Sequence, residues 1–500
     1  MYRAVRKPSV TLEKSPATSP VPTTADAPRT GPVLALLVAS AFVVVLNETI
    51  MGVALPRLMV DLDITAATAQ WLTTGFLLTM AVVIPLTGYL LARFPLRGLF
   101  FMAMSLFAAG TLIAATAPGF ELLLTGRVVQ AAGTAIMLPL LFTTVLNVVP
   151  VTHRGRMMGV ISIVIAVAPA VGPTVSGIIL AALDWRWMFW LVLPIALLAL
   201  ALGAVWVRNI TETRPARFDV LSVLLSALGF GGLIFGLSSI GESASDHAPV
   251  PVWIPLMLGA ASLLAFVLRQ LHLQRSDAAL LDLRTFTSRS FSLAIVLVVV
   301  VMSALFGSLI LLPLYLQQAL MLDTLTVGLM LLPGGILMGL IAPVVGSLFD
   351  RFGPRPLVFP GMLVAAAALW GMTTFDGNTG IAWIIAVHMT LNVGLGFVFT
   401  PLLTSALGSL PRTLYSHGSA IMNTLQQVAG AAGTALFITL MSVGAAGALE
   451  SGADVAQATV TGVHAAFLVG AFIASAAVVL TLFVRKPAQT DAEVPVSVGH

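Results

Sequence analysis

Long apolar segments alternate with short polar connections along almost the whole chain. There are fourteen such segments, each at least 18 residues long. Because about 20 apolar residues in a helix cross the hydrocarbon core of a bilayer, this pattern predicts fourteen transmembrane helices and an all-α polytopic membrane protein. The segments are 33–55, 69–92, 97–117, 121–148, 157–181, 187–207, 220–241, 251–268, 291–315, 325–349, 356–375, 380–408, 418–446 and 461–484.

The composition supports the same fold class and excludes several others. Hydrophobic residues make up 58% of the 500 positions and charged residues only 9%, an excess that no soluble core requires. Cysteine is absent, which excludes disulfides, thiolate metal sites and thiol redox chemistry. The three lysines lie in the tails and none follows a glycine-rich loop, so a phosphate-binding loop is excluded. Transport would therefore depend on an ion gradient or on a separate subunit.

The positive charges lie almost entirely on one side of the predicted membrane. Arginines cluster in the connections after the even-numbered segments and in the two tails, whereas the other connections are mainly acidic. The positive-inside rule therefore predicts that both termini are cytoplasmic. This distribution also argues against a nucleic-acid partner, although the net charge is +4. Residues 1–31 and 486–500 are expected to be polar tails. Residues 1–31 are also expected to be disordered and to lack a cleavable signal, so the first segment would be an uncleaved anchor.

Two charged residues stand inside the apolar segments, Glu48 in the first and Arg127 in the fourth. A charge in hydrocarbon costs at least about 2.5 kcal/mol, so we interpret Glu48 first as a functional group, most simply a proton carrier. Both residues are predicted roughly 10 Å below the outer surface, where they could form an ion pair or a water-linked couple. The alternatives are an acid tolerated by packing, and an arginine that extends to the lipid headgroups.

The two halves of the chain repeat each other. Gly88 and Gly346 are 258 positions apart in similar sequences, GYLLARFPLR and GSLFDRFGPR, and Gly159 and Gly418 are 259 apart. The repeat predicts two six-helix bundles that move about a central cleft, with two helices inserted between them. The predicted domains are the tail 1–31, the N-terminal bundle 32–210, the inserted pair 211–285, the C-terminal bundle 286–485 and the tail 486–500.

The chain resembles the fourteen-span drug:proton antiporters of the major facilitator superfamily along nearly its whole length. LNETIMGVALP is similar to the family's signature in the first span, which usually has Asp where Asn47 stands. Here the carboxylate has moved to Glu48, which turns it by about 100° around a helix. GRVVQAAG, with Arg127 and Gln130, resembles the fourth-span signature, in which the arginine responds to protonation of a nearby acid.

The fifth span resembles the antiporter signature of the same family. The resemblance implies a kinked, closely packed helix that blocks ion leak, and the alternative is a kinked helix with a packing role only. Its residues are Gly159, Ala168 in a glycine position, Pro169 as an addition, Gly172, Pro173 and Gly177.

The loop signature that follows the second span is degraded, because Ala92 replaces its acid and Pro95 its glycine. The second copy keeps the acid as Asp350, which we expect to carry the electrostatic role of a conformational latch. The alternative for the loop arginines is that they only set the topology. The gating residues are Gly88, Arg93 and Arg97 in the first copy and Gly346, Asp350, Arg351, Gly353 and Arg355 in the second.

Several polar residues of the second half are candidates for contact with substrate. Tyr315, Gln317 and Gln318 end the ninth span, and Asn423, Gln426 and Gln427 share one helix face in the thirteenth. His388 corresponds to Gln130 in the repeat and could be a second titrating group. The alternatives are ordinary hydrogen bonds between helices and a packing histidine.

Together these features and the resemblance predict a proton-coupled antiporter that exports hydrophobic or cationic drugs across the bacterial cytoplasmic membrane by alternating access. The proton is the coupling ion, no metal or cofactor is expected, and the resemblance implies a monomer in the lipid bilayer. Export of one endogenous metabolite, antibiotic or lipid is an alternative. A membrane receptor or scaffold that transports nothing is another. The sequence has none of the clusters that an intramembrane enzyme would need.

Overall fold

The computed structural model describes residues 30–209, 219–243, 251–276 and 278–484. The tails predicted at 1–31 and 486–500 fall outside these ranges, apart from residues 30 and 31. All fourteen predicted helices are present and are long and apolar enough to cross a membrane. They are α1 Thr30–Asp61, α2 Ala66–Arg93, α3 Leu96–Ala115, α4 Phe120–Val148, α5 Arg154–Ala182, α6 Trp187–Trp206, α7 Val220–Ser243, α8 Trp253–Leu273, α9 Arg289–Gln318, α10 Thr324–Phe352, α11 Arg355–Met372, α12 Ile381–Gly408, α13 Tyr415–Glu450 and α14 Val455–Thr481.

Helix α1 is longer than its apolar segment. The segment ends at residue 55, but the helix continues to Asp61, and Arg57 in this extension donates a hydrogen bond to Asp61 at 3.2 Å. Oppositely charged residues four apart stabilise a helix, so the backbone remains helical after the chain has left the apolar region. Apolar content therefore predicts the membrane span better than it predicts the end of the helix.

The helices form two bundles. Helices α1–α6 pack together as the N-terminal bundle, and α9–α14 as the C-terminal bundle. The main contacts between the two bundles are those of α5 with α10 and of α2 with α13. The inserted helices α7 and α8 pack on each other, and α7 also lies against α2 and α13. This is the predicted architecture of two six-helix bundles plus an inserted pair. The domain boundaries themselves remain a prediction.

Most of the hydrogen bonds between the bundles lie toward one end of the molecule. This end, where the even-numbered helices finish, carries most of the arginines of the described residues, and we call it the arginine-rich face. Three side-chain pairs connect the bundles in this half of the molecule: Arg154 with Tyr415 at 3.1 Å, Thr143 with Ser419 at 3.2 Å, and Ser162 with Thr400 at 2.8 Å. The conformation is therefore closed on the arginine-rich face.

Candidate functional site

Arg127 of α4 lies in the interior of the N-terminal bundle. Its side chain has no exposed surface, and its guanidinium carbon is 4.1 Å from the centre of the Phe76 ring. Its Nη1 donates hydrogen bonds to Asn47 Oδ1 at 3.0 Å and to Gln130 Oε1 at 2.8 Å. Gln130 in turn donates to Thr111 at 2.8 Å. Arg127 therefore does not extend to the headgroups, which was one of the alternatives left by the sequence.

Glu48 is the neighbour of Asn47 on α1 and faces a different direction. Within the described residues, no ion pair joins Glu48 to Arg127. Successive positions on a helix differ by about 100°, so Asn47 points to Arg127 whereas Glu48 points into a central cavity. There its carboxylate interacts with Gln427 of the C-terminal bundle. Of the two arrangements predicted for Glu48 and Arg127, the direct ion pair is absent.

The guanidinium of Arg127 has spare hydrogen-bonding capacity. Neither Nε nor Nη2 has an acceptor among the described residues, although both atoms are buried. A neutral buried donor without a partner costs about 1–3 kcal/mol, and a charged donor costs more. The arrangement can therefore accommodate a further acceptor, either water or a carboxylate that approaches from α1.

The central cavity lies between the two bundles and has a volume of about 300 Å³. Glu48 and Thr49 of α1 face the cavity from the N-terminal bundle, and α9, α10, α12 and α13 form the opposite wall. Glu48 is the only acid among its described lining residues, and no lysine or arginine lines it. The cavity can therefore accept a neutral or a cationic molecule next to a single carboxylate.

Four of the predicted substrate and proton residues of the C-terminal bundle line this cavity: Gln317, His388, Gln426 and Gln427. His388 is buried, and Asn392 donates to its ring nitrogen Nε2 at 3.2 Å and to its carbonyl oxygen at 2.9 Å. This contact is the local hydrogen bond that the packing alternative requires, but the ring also borders the cavity.

Three other substrate candidates do not line the cavity. Tyr315 is buried and donates to the Asp376 carbonyl at 2.6 Å, which ties α9 to the connection between α11 and α12. Asn423 donates to Ser419 of its own helix at 2.8 Å. Gln318 is exposed at the end of α9. Sequence spacing placed these residues near the site, but their side chains are used elsewhere or point outward.

The residues of the antiporter signature serve three different interfaces of α5. Gly159 packs against α10, where an added Cβ would collide with the Ala342 carbonyl oxygen, and Gly172 packs in the same way against Thr49 of α1. The carbonyl oxygen of Ala168 accepts a hydrogen bond from Thr49 at 3.4 Å, and Pro169 lines the cavity. Helix α5 runs without a break through Pro169 and position 173. An added Cβ at Gly177 would meet nothing within 4 Å, so close packing does not explain that glycine.

Asp350 joins the two bundles at the arginine-rich face. Its carboxylate accepts hydrogen bonds from the backbone N–H groups of Gly155 at 2.7 Å and Arg156 at 2.9 Å, the first turn of α5. A carboxylate at a helix N-terminus satisfies otherwise unpaired N–H groups and interacts favourably with the helix dipole. Gly346, one turn earlier, contacts Gly155 so closely that neither position has room for a Cβ.

The gating arginines do not take part in that contact. Arg97 donates to the Ala204 carbonyl at 3.1 Å and its backbone N–H donates to Asn209 at 3.2 Å, both within the N-terminal bundle. Arg93, Arg351 and Arg355 are exposed, which agrees with the topology-setting alternative.

Sequence reasoning missed two parts of the closed face. Arg154 donates to Tyr415 and to the carbonyls of Leu146 and Val149, but the sequence shows it only as one loop arginine among many. The connection between α8 and α9 packs on Gly88 through the Leu280 carbonyl oxygen. Gln270, a glutamine near the end of α8, is buried and holds this connection, but the sequence alone does not show its burial.

The sequence matches the family model described as Major Facilitator Superfamily over residues 37–434. It is 45% identical over 460 residues to the "Lincomycin resistance protein LmrB" of Listeria monocytogenes, covering 91% of this chain and 97% of that protein. Identity to the protein of the same name in Bacillus subtilis is 40% over 461 residues, covering 91% and 96%. A "Multidrug resistance protein B homolog" of Mycobacterium tuberculosis is 33% identical over 404 residues, covering 79% and 73%.

A solved structure with the same fold is the proton:xylose symporter XylE. It superposes with a TM-score of 0.62 at 14% sequence identity, covering 91% of this chain and 96% of that one. At this identity the likeness shows the fold alone.

Proposed function

The chain belongs to the major facilitator superfamily, and from that premise we propose that it is a proton-coupled antiporter that exports hydrophobic or cationic drugs. The names of its relatives, which refer to lincomycin and multidrug resistance, support drug efflux. The proposal assigns proton coupling to Glu48. The arginine-rich face is assigned to the cytoplasm, which places both termini there.

One observation carries the assignment of Glu48: it is the only acid among the described residues that line the cavity between the bundles. A carboxylate at this position can take a proton from one side of the membrane and lose it on the other as the bundles rock. Moving one charge through 100 mV releases about 2.3 kcal/mol, which can drive a substrate in the opposite direction. A cationic substrate that occupies the cavity competes with the proton for the same carboxylate.

Arg127 is assigned the role of a modulator. It holds Asn47, the residue next to Glu48, and keeps two nitrogen atoms without acceptors. In our proposal Glu48 interacts with Gln427 in the conformation closed on the arginine-rich face and moves toward Arg127 in the other. Opposite charges attract strongly in a low-dielectric interior, so Arg127 would favour the ionised form of Glu48 and release of its proton in that second conformation.

The experiment is proton release from inverted, energised membrane vesicles after lincomycin is added. Wild-type protein should release protons into the medium, and Glu48→Gln should reduce this release to the background of vesicles without the protein. Glu121→Gln is the matched control, because Glu121 is an exposed acid in the first turn of α4. Release at the wild-type rate by Glu48→Gln would contradict the coupling assignment.

The names of the relatives favour an antibiotic as the exported molecule. A panel that contains lincomycin, other antibiotics, lipophilic cations and lipids would separate a multidrug exporter from an exporter of one compound. Proton release with one member of the panel alone would support the narrower function.

A further inference from the structure

Two residues that line the central cavity each carry a buried polar atom without a hydrogen-bond partner among the described residues. These atoms are Oγ of Ser308 on α9 and Nε2 of Gln426 on α13. Ser308 is 2% exposed and Gln426 is 8% exposed, so bulk water does not solvate them. A buried polar group without a partner is unfavourable, and a protein retains such a group at a cavity when a ligand or an ordered water completes it.

The polar groups of the cavity are distributed unequally. The N-terminal bundle contributes Glu48 and Thr49, and its other lining side chains are apolar. The C-terminal bundle contributes the neutral or weakly basic groups, which are Ser308, Gln317, His388, Asn392, Gln426 and Gln427. The two walls therefore present different chemistry, one carboxylate and one hydroxyl on the first side and several neutral or weakly basic hydrogen-bonding groups on the other.

We propose that Ser308 and Gln426 are specificity residues that bind neutral oxygen-bearing groups, hydroxyls or amide carbonyls, of an amine-bearing amphiphilic substrate. The inference rests on the proposed export function. A serine hydroxyl donates and accepts, and the Gln426 Nε2 group donates, so an alcohol or a carbonyl oxygen complements both. The amine of the same molecule lies toward Glu48, and its apolar parts contact the aliphatic side chains of both walls. A site built this way discriminates strongly against molecules that lack the hydrogen-bonding groups.

The assignment also explains why the two residues are on different helices. Ser308 and Gln426 hold separate parts of one substrate, so neither group alone accounts for the whole affinity. A rigid apolar cation that carries no hydrogen-bonding group binds in the same cavity without a hydrogen bond to Ser308 or Gln426. Such a molecule binds through burial of apolar surface and through Glu48 only.

The test compares two probes on the purified full-length chain. Lincomycin carries a basic amine, an amide and a hydroxylated sugar, whereas tetraphenylphosphonium is a cation without a hydrogen-bonding group. Ser308→Ala and Gln426→Met should each weaken lincomycin binding about fivefold to tenfold, as expected for one lost hydrogen bond. Tetraphenylphosphonium should bind both variants within twofold of wild type. The Kd values are measured by equilibrium binding of the radiolabelled probes.

Ser405→Ala is the matched control. Ser405 on α12 is 2% exposed and its hydroxyl also has no partner among the described residues, but it does not line the cavity. Its substitution should leave both Kd values unchanged. Lincomycin binding at wild-type affinity by both cavity variants would overturn the proposal and would assign the two groups to bound water. Equal loss of both probes would also overturn it, since that result indicates damage to the cavity.

The binding test is separate from the test of proton coupling. Binding at equilibrium requires no proton movement, so a Glu48→Gln variant that fails to abolish proton release leaves the roles of Ser308 and Gln426 open to independent measurement. Wild-type protein that binds neither probe would contradict the recognition proposal directly.

Discussion

The two halves of the molecule close the arginine-rich face in different ways. In the second half, Gly346 meets Gly155 at the crossing of α10 and α5, and Asp350 caps the first turn of α5. In the first half, the equivalent acid is missing because Ala92 occupies its position. A cavity of about 270 Å³ lies there, between Ala92 and the beginning of α13. The repeat in sequence therefore does not produce two equal latches.

The connection between α8 and α9 contributes to the first-half junction instead. An added Cβ at Gly88 would lie 3.2 Å from the Leu280 carbonyl oxygen and 3.4 Å from the ring of His417 on α13. The backbone N–H groups of Leu280 and Leu281 both donate to Oε1 of the buried Gln270, at 2.8 and 3.3 Å. The inserted helices thus hold a peptide segment against the ends of α2 and α13.

A further set of hydrogen bonds fixes this segment to the start of α7. Gln270 donates to Ser222 at 2.7 Å, and Arg269 donates two hydrogen bonds to Asp219 at 2.8 and 2.9 Å. The hydrogen bonds from Arg269 lower the pKa of Asp219 to about 2, so the pair stays charged at physiological pH. The comparison teaches that an inserted element packs at the junction that lacks the loop acid, whereas a carboxylate cap holds the other junction.

The largest expected effect is at the second-half crossing. Gly346→Ala should reduce export at least tenfold, because its Cβ would collide with the Gly155 carbonyl oxygen and the helices could not approach. Gly408→Ala at the end of α12 is the control, since nothing lies within 4 Å of an added Cβ there. Gly88→Ala should retain most of the activity, because its neighbours are at 3.2 Å or more. The export activity of the three variants is measured as drug resistance of the cells that express them and as transport in vesicles. Equal losses of export activity in Gly346→Ala and Gly88→Ala would contradict the proposed difference between the two junctions.

The next effect concerns the helix cap. Asp350→Ala should destabilise the closed arginine-rich face by about 1–2 kcal/mol, because the first turn of α5 loses its acceptor. The chain has no native cysteine, so Ser419→Cys, a buried position in the closed conformation, provides a single thiol for labelling. Because this change removes the hydroxyl that pairs with Thr143, every variant is compared with Ser419→Cys as the parent protein. The reaction of this thiol with a water-soluble maleimide should become about tenfold faster in Asp350→Ala.

Asp454→Ala is the control for losing a helix cap that does not connect the two bundles. Asp454 accepts from the Gln457 backbone N–H at 2.7 Å at the start of α14, within one bundle. This variant should lower thermal stability without changing the labelling rate. Identical labelling rates for Asp350→Ala and the parent protein would show that the cap does not stabilise the closed face.

The smallest effect is expected at the first-half junction. Gln270→Leu removes the acceptor for Leu280 and Leu281, so the segment should loosen and the labelling of Ser419→Cys should rise about threefold. Ser276→Ala is the control in the same connection, because its exposed hydroxyl donates only to the Leu273 carbonyl. A rise as large as that of Asp350→Ala would make the two junctions equivalent in energy.

Much of the fold could be predicted from the sequence because the bilayer imposes a simple rule. Every backbone group in hydrocarbon must be paired within the segment, so an apolar run of sufficient length is a helix. The fourteen helices and the two bundles followed from this rule and from the repeat. The end of α1 did not, because the Arg57 and Asp61 pair extends the helix beyond the apolar run.

Fewer features of the site than of the fold could be predicted from the sequence. The isolated positions of Glu48 and Arg127 identified both residues, and Asp350 stood out as the only loop acid of the duplicated motif. Spacing could not show that Tyr315 and Asn423 form hydrogen bonds elsewhere, since helices of about eight to ten turns present polar residues to several neighbours. Ser308 gave no signal, because a serine in an apolar helix is common.

The sequence by itself determined which segments cross the membrane, which face carries the arginines and which charges lie in the interior, because each depends on local polarity alone. Tertiary structure decided that Asn47 rather than Glu48 contacts Arg127 and that Ser308 and Gln426 share a cavity. It also decided that a peptide segment packs on Gly88 at the junction that lacks the acid. These features depend on how helices rotate and pack against each other. Rotation by one residue, about 100°, leaves hydropathy unchanged but redirects a side chain from a helix contact into the cavity.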